Sequence, residues 1–210
     1  MEPHKKVKEI IRLLKREYPA SKTALNYGSV FELLTATMLS AQTTDVHVNR
    51  VTEKLFKKYR SIGDYASAPI EALQNDIGSI NFYKTKAKNI KNCAVLIMER
   101  YGSQVPKTMA ELVELPGVAR KTANIILSTA YGINEGIAVD THVKRLAYRL
   151  GLSRHEDPVK IEKDLIGITP KKDWGNISHL LISHGRKTCQ AKKPKHKDCV
   201  LFALCPSNSI

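Results

Sequence analysis

Apolar positions along the chain recur three and four residues apart and almost nowhere alternate. Val7, Ile10, Ile11 and Leu14 form one stripe and predict a helix over 5–18, ended by Pro19. Phe31, Leu34 and Met38 continue the pattern behind Ser29, with Glu32 three residues on, as in a capping box. Val48, Val51 and Leu55 follow a cap at Thr44 and Asp45. Gly63 and Asp64 read as a break, 69–73 as a short helix and 78–83 as a loop. Ala87, Ile90, Ala94, Ile97 and Met98 give an inward face to a helix over 85–100. Asp140 and the pair Asp157-Pro158 have the form of helix starts. Their helices turn Val143, Leu146, Ala147 and Leu150, and Ile161, Leu165 and Ile166, inward. A last helix is predicted over 173–184, closed by Gly185. No stretch alternates with period two for long enough to make a sheet. The fold class is therefore all-α, with nine or ten helices and no internal repeat.

One stretch departs from simple periodicity. Thr108-Met-Ala-Glu111 reads as a capping box opening a short helix with Leu112 and Leu115 on its apolar edge. Pro116-Gly117 breaks it, since proline cannot continue a helix and glycine accepts positive φ. Val118, Thr122, Ile125, Ile126 and Thr129 then repeat at helical spacing, with Gly132 as a stop. Two helices joined by a tight glycine turn present backbone N–H groups that suit a phosphate. Lys121 falls in the first turn of the second helix, four residues before Ile125 and so beside its buried face.

Composition sharpens this. Lys and Arg outnumber Asp and Glu by 34 to 20, a net charge of +14, which makes nucleic acid a candidate partner. The glycine turn favours DNA over an idle basic surface. No apolar run could span a bilayer, and the first residues lack a signal-peptide pattern, so a cytoplasmic location without membrane attachment is expected. In such a compartment the four cysteines are not expected to pair as disulfides. Cys93 suits a helix core. Cys189, Cys199 and Cys205 cluster near the C-terminus, which points to metal or iron–sulfur ligation.

The run Glu114-Leu-Pro-Gly-Val-Ala-Arg-Lys-Thr-Ala-Asn124, with Val139-Asp-Thr-His-Val143, resembles the helix-hairpin-helix DNA glycosylase superfamily, in its branch that also cleaves abasic sites. The resemblance extends to Leu39-Ser-Ala-Gln-Thr-Thr-Asp45 and to the cysteine-rich end, nearly the whole chain. It implies two lobes. Residues 21–133 would form a helical barrel carrying the hairpin at about 108–131. Residues 1–20 and 134–210 would form the second lobe, with the metal loop at 189–205 and a DNA cleft between the two. The expected partner is double-stranded DNA with a damaged, oxidised pyrimidine or an abasic site, bound by a monomer.

The resemblance also assigns roles. Lys121 is the nucleophile, whose amine attacks the sugar C1′, forms an imine and permits β-elimination of the 3′ phosphate. From spacing alone, a lysine gripping a phosphate is the commoner role. Asp140 stabilises positive charge on the sugar, or serves only as a helix cap. Gly117, Val118 and Arg120 belong to the DNA-binding hairpin, and His142 orients Asp140 or contacts substrate. Gln42 matches an inserting glutamine, and Phe82 stands where an apolar wedge, often leucine, is expected. Cys189, His196, Cys199 and Cys205 keep the gaps of the family's four-cysteine iron–sulfur motif, with histidine in the second place. A Cys₃His [4Fe–4S] site, a zinc site and a loop that has lost its metal are the three readings. Two rival functions share the hairpin: a mismatch-specific glycosylase, which typically lacks the lysine, and a non-catalytic DNA-binding protein, with no reason to pair Lys121 with Asp140.

Overall fold

The structure, a computed structural model, describes residues 2–208. These residues hold eleven α-helices and three single-turn 3₁₀ helices, and no strand is present among them. In chain order the helices are α1 Pro3–Glu17, α2 Val30–Leu39, α3 Asp45–Lys58, α4 Ile62–Ser67, α5 Ile70–Asp76 and α6 Tyr83–Tyr101. There follow α7 Met109–Glu114, α8 Arg120–Ala130, α9 Thr141–Arg149, α10 Pro158–Ile168 and α11 Trp174–Lys187. None is long and apolar enough to cross a membrane.

The chain folds as two units. One is Ala24–Tyr131, and the other joins Met1–Thr23 to Gly132–Ile210. In the first unit α2 is the central element. Every residue from Leu33 to Leu39 is buried, because α3, α6 and α8 pack around it. The single stripe of Phe31, Leu34 and Met38 therefore understates its burial. Cys93 is fully buried on α6, where burial pushes its thiol up to about 12. In the second unit Val7, Ile10, Ile11 and Leu14 of α1 meet the inner faces of α9, α10 and α11 in one core.

Five local readings are corrected. Gly63 and Asp64 do not break the chain. Ser61 and Asp64 cap each other's backbone as a full capping box, and α4 runs through both positions. Neither Glu32 nor Glu111 completes the box expected of it. Glu32 accepts from the Gly28 N–H instead, and Glu111 pairs with the Thr108 hydroxyl. Val118 precedes α8 rather than belonging to it, buried in the turn. Gly185 does not end α11, which continues to Lys187. A Cβ at Gly185 would lie 3.0 Å from Arg145 Nη2 and 3.1 Å from His142 Nδ1, so glycine there serves the close approach of α9.

Candidate active site

The hairpin is built as the sequence predicts. α7 and α8 pack together, and the Leu115–Ala119 turn between them buries Leu115 and Val118. Gly117 takes φ +79°, and a Cβ there would lie 2.8 Å from both Asn89 Nδ2 and Met38 Cε. Conformation and space thus both demand glycine. Ala119 caps α8 without a side-chain acceptor, and no acid occupies the first turn. That turn instead holds Arg120 and Lys121, so positive charge gathers at the positive end of the helix dipole. Both side chains are exposed. Lys121 does not lie against the buried face, because cover on α8 begins only at Ala123.

The same unit carries Gln42 and Phe82. Gln42 sits in the turn after α2 and Phe82 caps α6, and both are exposed, Phe82 by 64%. Both backbones are left-handed, with φ 56° at Gln42 and 59° at Phe82. A bulky residue rarely takes that conformation, which costs roughly 1–3 kcal/mol unless its surroundings enforce it. The two loops touch, for Asn81 Nδ2 donates to the Gln42 carbonyl at 2.6 Å. Beneath them Lys86 is 8% exposed, its ammonium donating to the carbonyls of Leu39 at 2.8 Å and Ala41 at 2.6 Å. Sequence reasoning missed Asn81 and Lys86, since a lysine near the start of a helix ordinarily reads as solvated.

In the second unit Asp140 is the N-cap of α9, its Oδ1 accepting from Val143 N at 2.8 Å. Buried Ile137 and Val139 precede it, and the carboxylate is half-buried. His179 of α11 is near enough to feel its charge. Burial holds this imidazole below its ordinary value, and the Asp140 carboxylate partly opposes the shift. His142 Nδ1 lies 3.2 Å from Arg145 Nη2. That guanidinium also donates to the carbonyls of Gly185 and Cys189, each at 3.0 Å. No feature of the sequence singled out His179.

The C-terminal loop brings its four candidate ligands to one place. Cys189, His196, Cys199 and Cys205 line a single pocket together with His184 and Phe202. Arg149 holds the loop, donating to Cys189 Sγ at 3.3 Å and to the carbonyls of Gln190 and Ala191. Cys199 Sγ lies 3.5 Å from His184 Nε2, and burial lowers that imidazole to about 4, keeping it neutral. Burial raises the Cys199 and Cys205 thiols, and the neighbouring Cys189 adds to both shifts. Among the described residues no three His, Cys, Asp or Glu side chains converge on one point that could hold a single metal ion.

A glycine hairpin ahead of a capped aspartate on an all-helical frame defines a class. The chain belongs to the HhH-GPD superfamily of base excision DNA repair proteins, whose profile matches residues 35–171. Within it, the chain is similar to endonuclease III proteins. The one from Synechocystis sp. is 47% identical over 95% of this chain and 91% of its own. The one from Bacillus subtilis is 48% identical over 90% of this chain and 86% of its own. The fold is similar to that of endonuclease III in a trapped covalent intermediate with DNA, at TM-score 0.92 and 41% identity, over 99% of this chain and 98% of the other.

Proposed function

We propose that this chain is a bifunctional DNA glycosylase and abasic-site lyase of base excision repair, acting on duplex DNA that carries a damaged base or an abasic site. The observation that carries the reading is the likeness to endonuclease III over nearly the full length, including a covalent DNA intermediate, joined to an exposed amine at the head of α8. Lys121 supplies the nucleophile. Its Nζ attacks the sugar C1′ as the base leaves, the C1′–O4′ bond then opens to give the imine, and loss of the proton that the imine acidifies at C2′ expels the 3′ phosphate by β-elimination. Asp140 offsets the positive charge that grows on the sugar as the base–sugar bond breaks. Gln42 and Phe82 enter the duplex as the target nucleotide swings out. Gly117, Val118 and Arg120 present the hairpin backbone and a cation to a phosphate, and His142 steadies the head of α9. The substrate class is an oxidised pyrimidine. Duplexes carrying thymine glycol are expected to be cut and, with borohydride, to yield a covalent adduct. Binding without cleavage or adduct on any lesion would instead mark a non-catalytic hairpin protein.

A [4Fe–4S] cluster suits the C-terminal loop, held by Cys189, Cys199, Cys205 and His196. Zinc draws all its donors to one point, whereas a cluster takes each ligand on a different iron and needs donors spread around a pocket. The placing of all four side chains around one pocket supports this reading. Bound there, it would tie the loop to α9 and α11. Anaerobically purified protein should contain iron and sulfide with visible absorption, lost in His196→Ala and kept in His196→Cys. Zinc in place of iron would point to a structural Cys₃His site, and iron unchanged in His196→Ala would remove His196 from the ligand set.

A further inference from the structure

Two turns of the first unit carry bulky, exposed side chains on left-handed backbone, and something must hold them there. The first turn follows α2. Its carbonyls at Leu39 and Ala41 point inward, where the helix end leaves them without intrahelical donors. The Lys86 ammonium, reaching from the first turn of α6, takes both at 2.8 and 2.6 Å. Lys86 is nearly buried, and burial lowers its pKa, a cost offset by those two carbonyls and the negative end of the α2 dipole. The second turn closes over this contact. Asn81 donates to the Gln42 carbonyl at 2.6 Å, and His47 on α3 meets the Ser79 carbonyl at 3.1 Å. Phe82 follows Asn81 directly, and its own carbonyl accepts from Lys86 N at 3.0 Å.

We propose that Lys86 and Asn81 are positioning residues, a polar brace that fixes the Gln42 turn against the Phe82 loop and so sets the cost of opening a paired nucleotide. The inference rests on the reading of Gln42 and Phe82 as the pair that enters the duplex. The physical argument is preorganisation. A side chain that replaces a stacked base must arrive already shaped, because ordering a loose loop during base flipping would add its entropy to the unstacking cost. The brace makes no contact with the reacting atoms, so it should matter only where unstacking is costly.

The test compares excision from a fully paired duplex with excision from the same lesion flanked by mismatches. Lys86→Met keeps the aliphatic stem and deletes the donor. It should slow excision from the paired duplex about tenfold, the scale of one buried acceptor left unpaired, and from the mismatched duplex less than about threefold. Added to Phe82→Ala, it should cost less than about twofold more, because the two act in one unit. Asn81→Ala, at an exposed position that does not threaten the fold, should show the same preference for the mismatched duplex and provides the test if Lys86→Met fails to fold. Equal losses on both duplexes, or multiplicative losses in the double variant, would overturn the brace. Phe82→Ala is measured alongside. Discrimination by Phe82→Ala but not by the brace variants would sink the brace and spare the wedge. No discrimination by Phe82→Ala would sink the wedge reading and the brace with it.

Discussion

Lys121→Gln is expected to abolish the borohydride-trapped adduct on abasic duplex while leaving binding to that duplex close to normal. Trapping requires an imine, and an imine requires a primary amine; the glutamine amide cannot supply one. The loss should be roughly 10³-fold or more in lyase rate, the scale seen when a covalent nucleophile is removed. The fold should not suffer, since Lys121 is exposed at the head of α8 and surface changes of this kind stay within about 0.5 kcal/mol. Gel-shift affinity and thermal unfolding establish that the variant is intact. Exposure also answers how a lysine on a partly buried helix can meet a bulky sugar: the first buried residue of α8, Ala123, comes two residues later. A variant that still forms the adduct would move the nucleophile to another amine.

Asp140→Asn should slow base excision by about 10²-fold or more while the lyase step on a preformed abasic site falls less. Excision passes through a sugar that carries positive charge, and loss of one aimed electrostatic partner commonly costs about 10²–10³-fold. Asparagine caps a helix about as well as aspartate, so the bond from Val143 N to the side-chain oxygen survives the change. Charge is thereby separated from folding. The unfolding midpoint should barely move, and Asp140→Ala should cost about 1 kcal/mol more by loss of the cap. A stable and fully active Asp140→Asn would leave the carboxylate as a cap and nothing else.

Much of the fold was legible because it is written locally. A cap is a side chain bonding to its own backbone three residues on, so Asp140, Asp157 and Thr44 announced their helices and the structure shows those bonds. A stripe at helical spacing exposes its buried face, and α1 buries Val7, Ile10, Ile11 and Leu14 as read. Where local signals conflicted, the reading failed. At Gly63 the glycine suggested a stop, but the reciprocal bonds of Ser61 and Asp64 outweighed its low helix propensity.

The positions of Gly117, Lys121 and Asp140 relative to their helix starts were determined by sequence alone, because turn geometry and capping act over three or four residues. The tertiary structure decided what lies across the gaps. Lys86 reaches carbonyls 45 and 47 residues earlier. Arg149 grips a thiol 40 residues later, and His184 approaches Cys199 from a helix whose end the sequence placed too early. Gly185 has the form of a helix stop, yet α11 runs past it and α9 presses against it. Periodicity encodes which face of a helix is buried, not which helix covers it or how closely, and polar groups inside a fold take their partners from that packing.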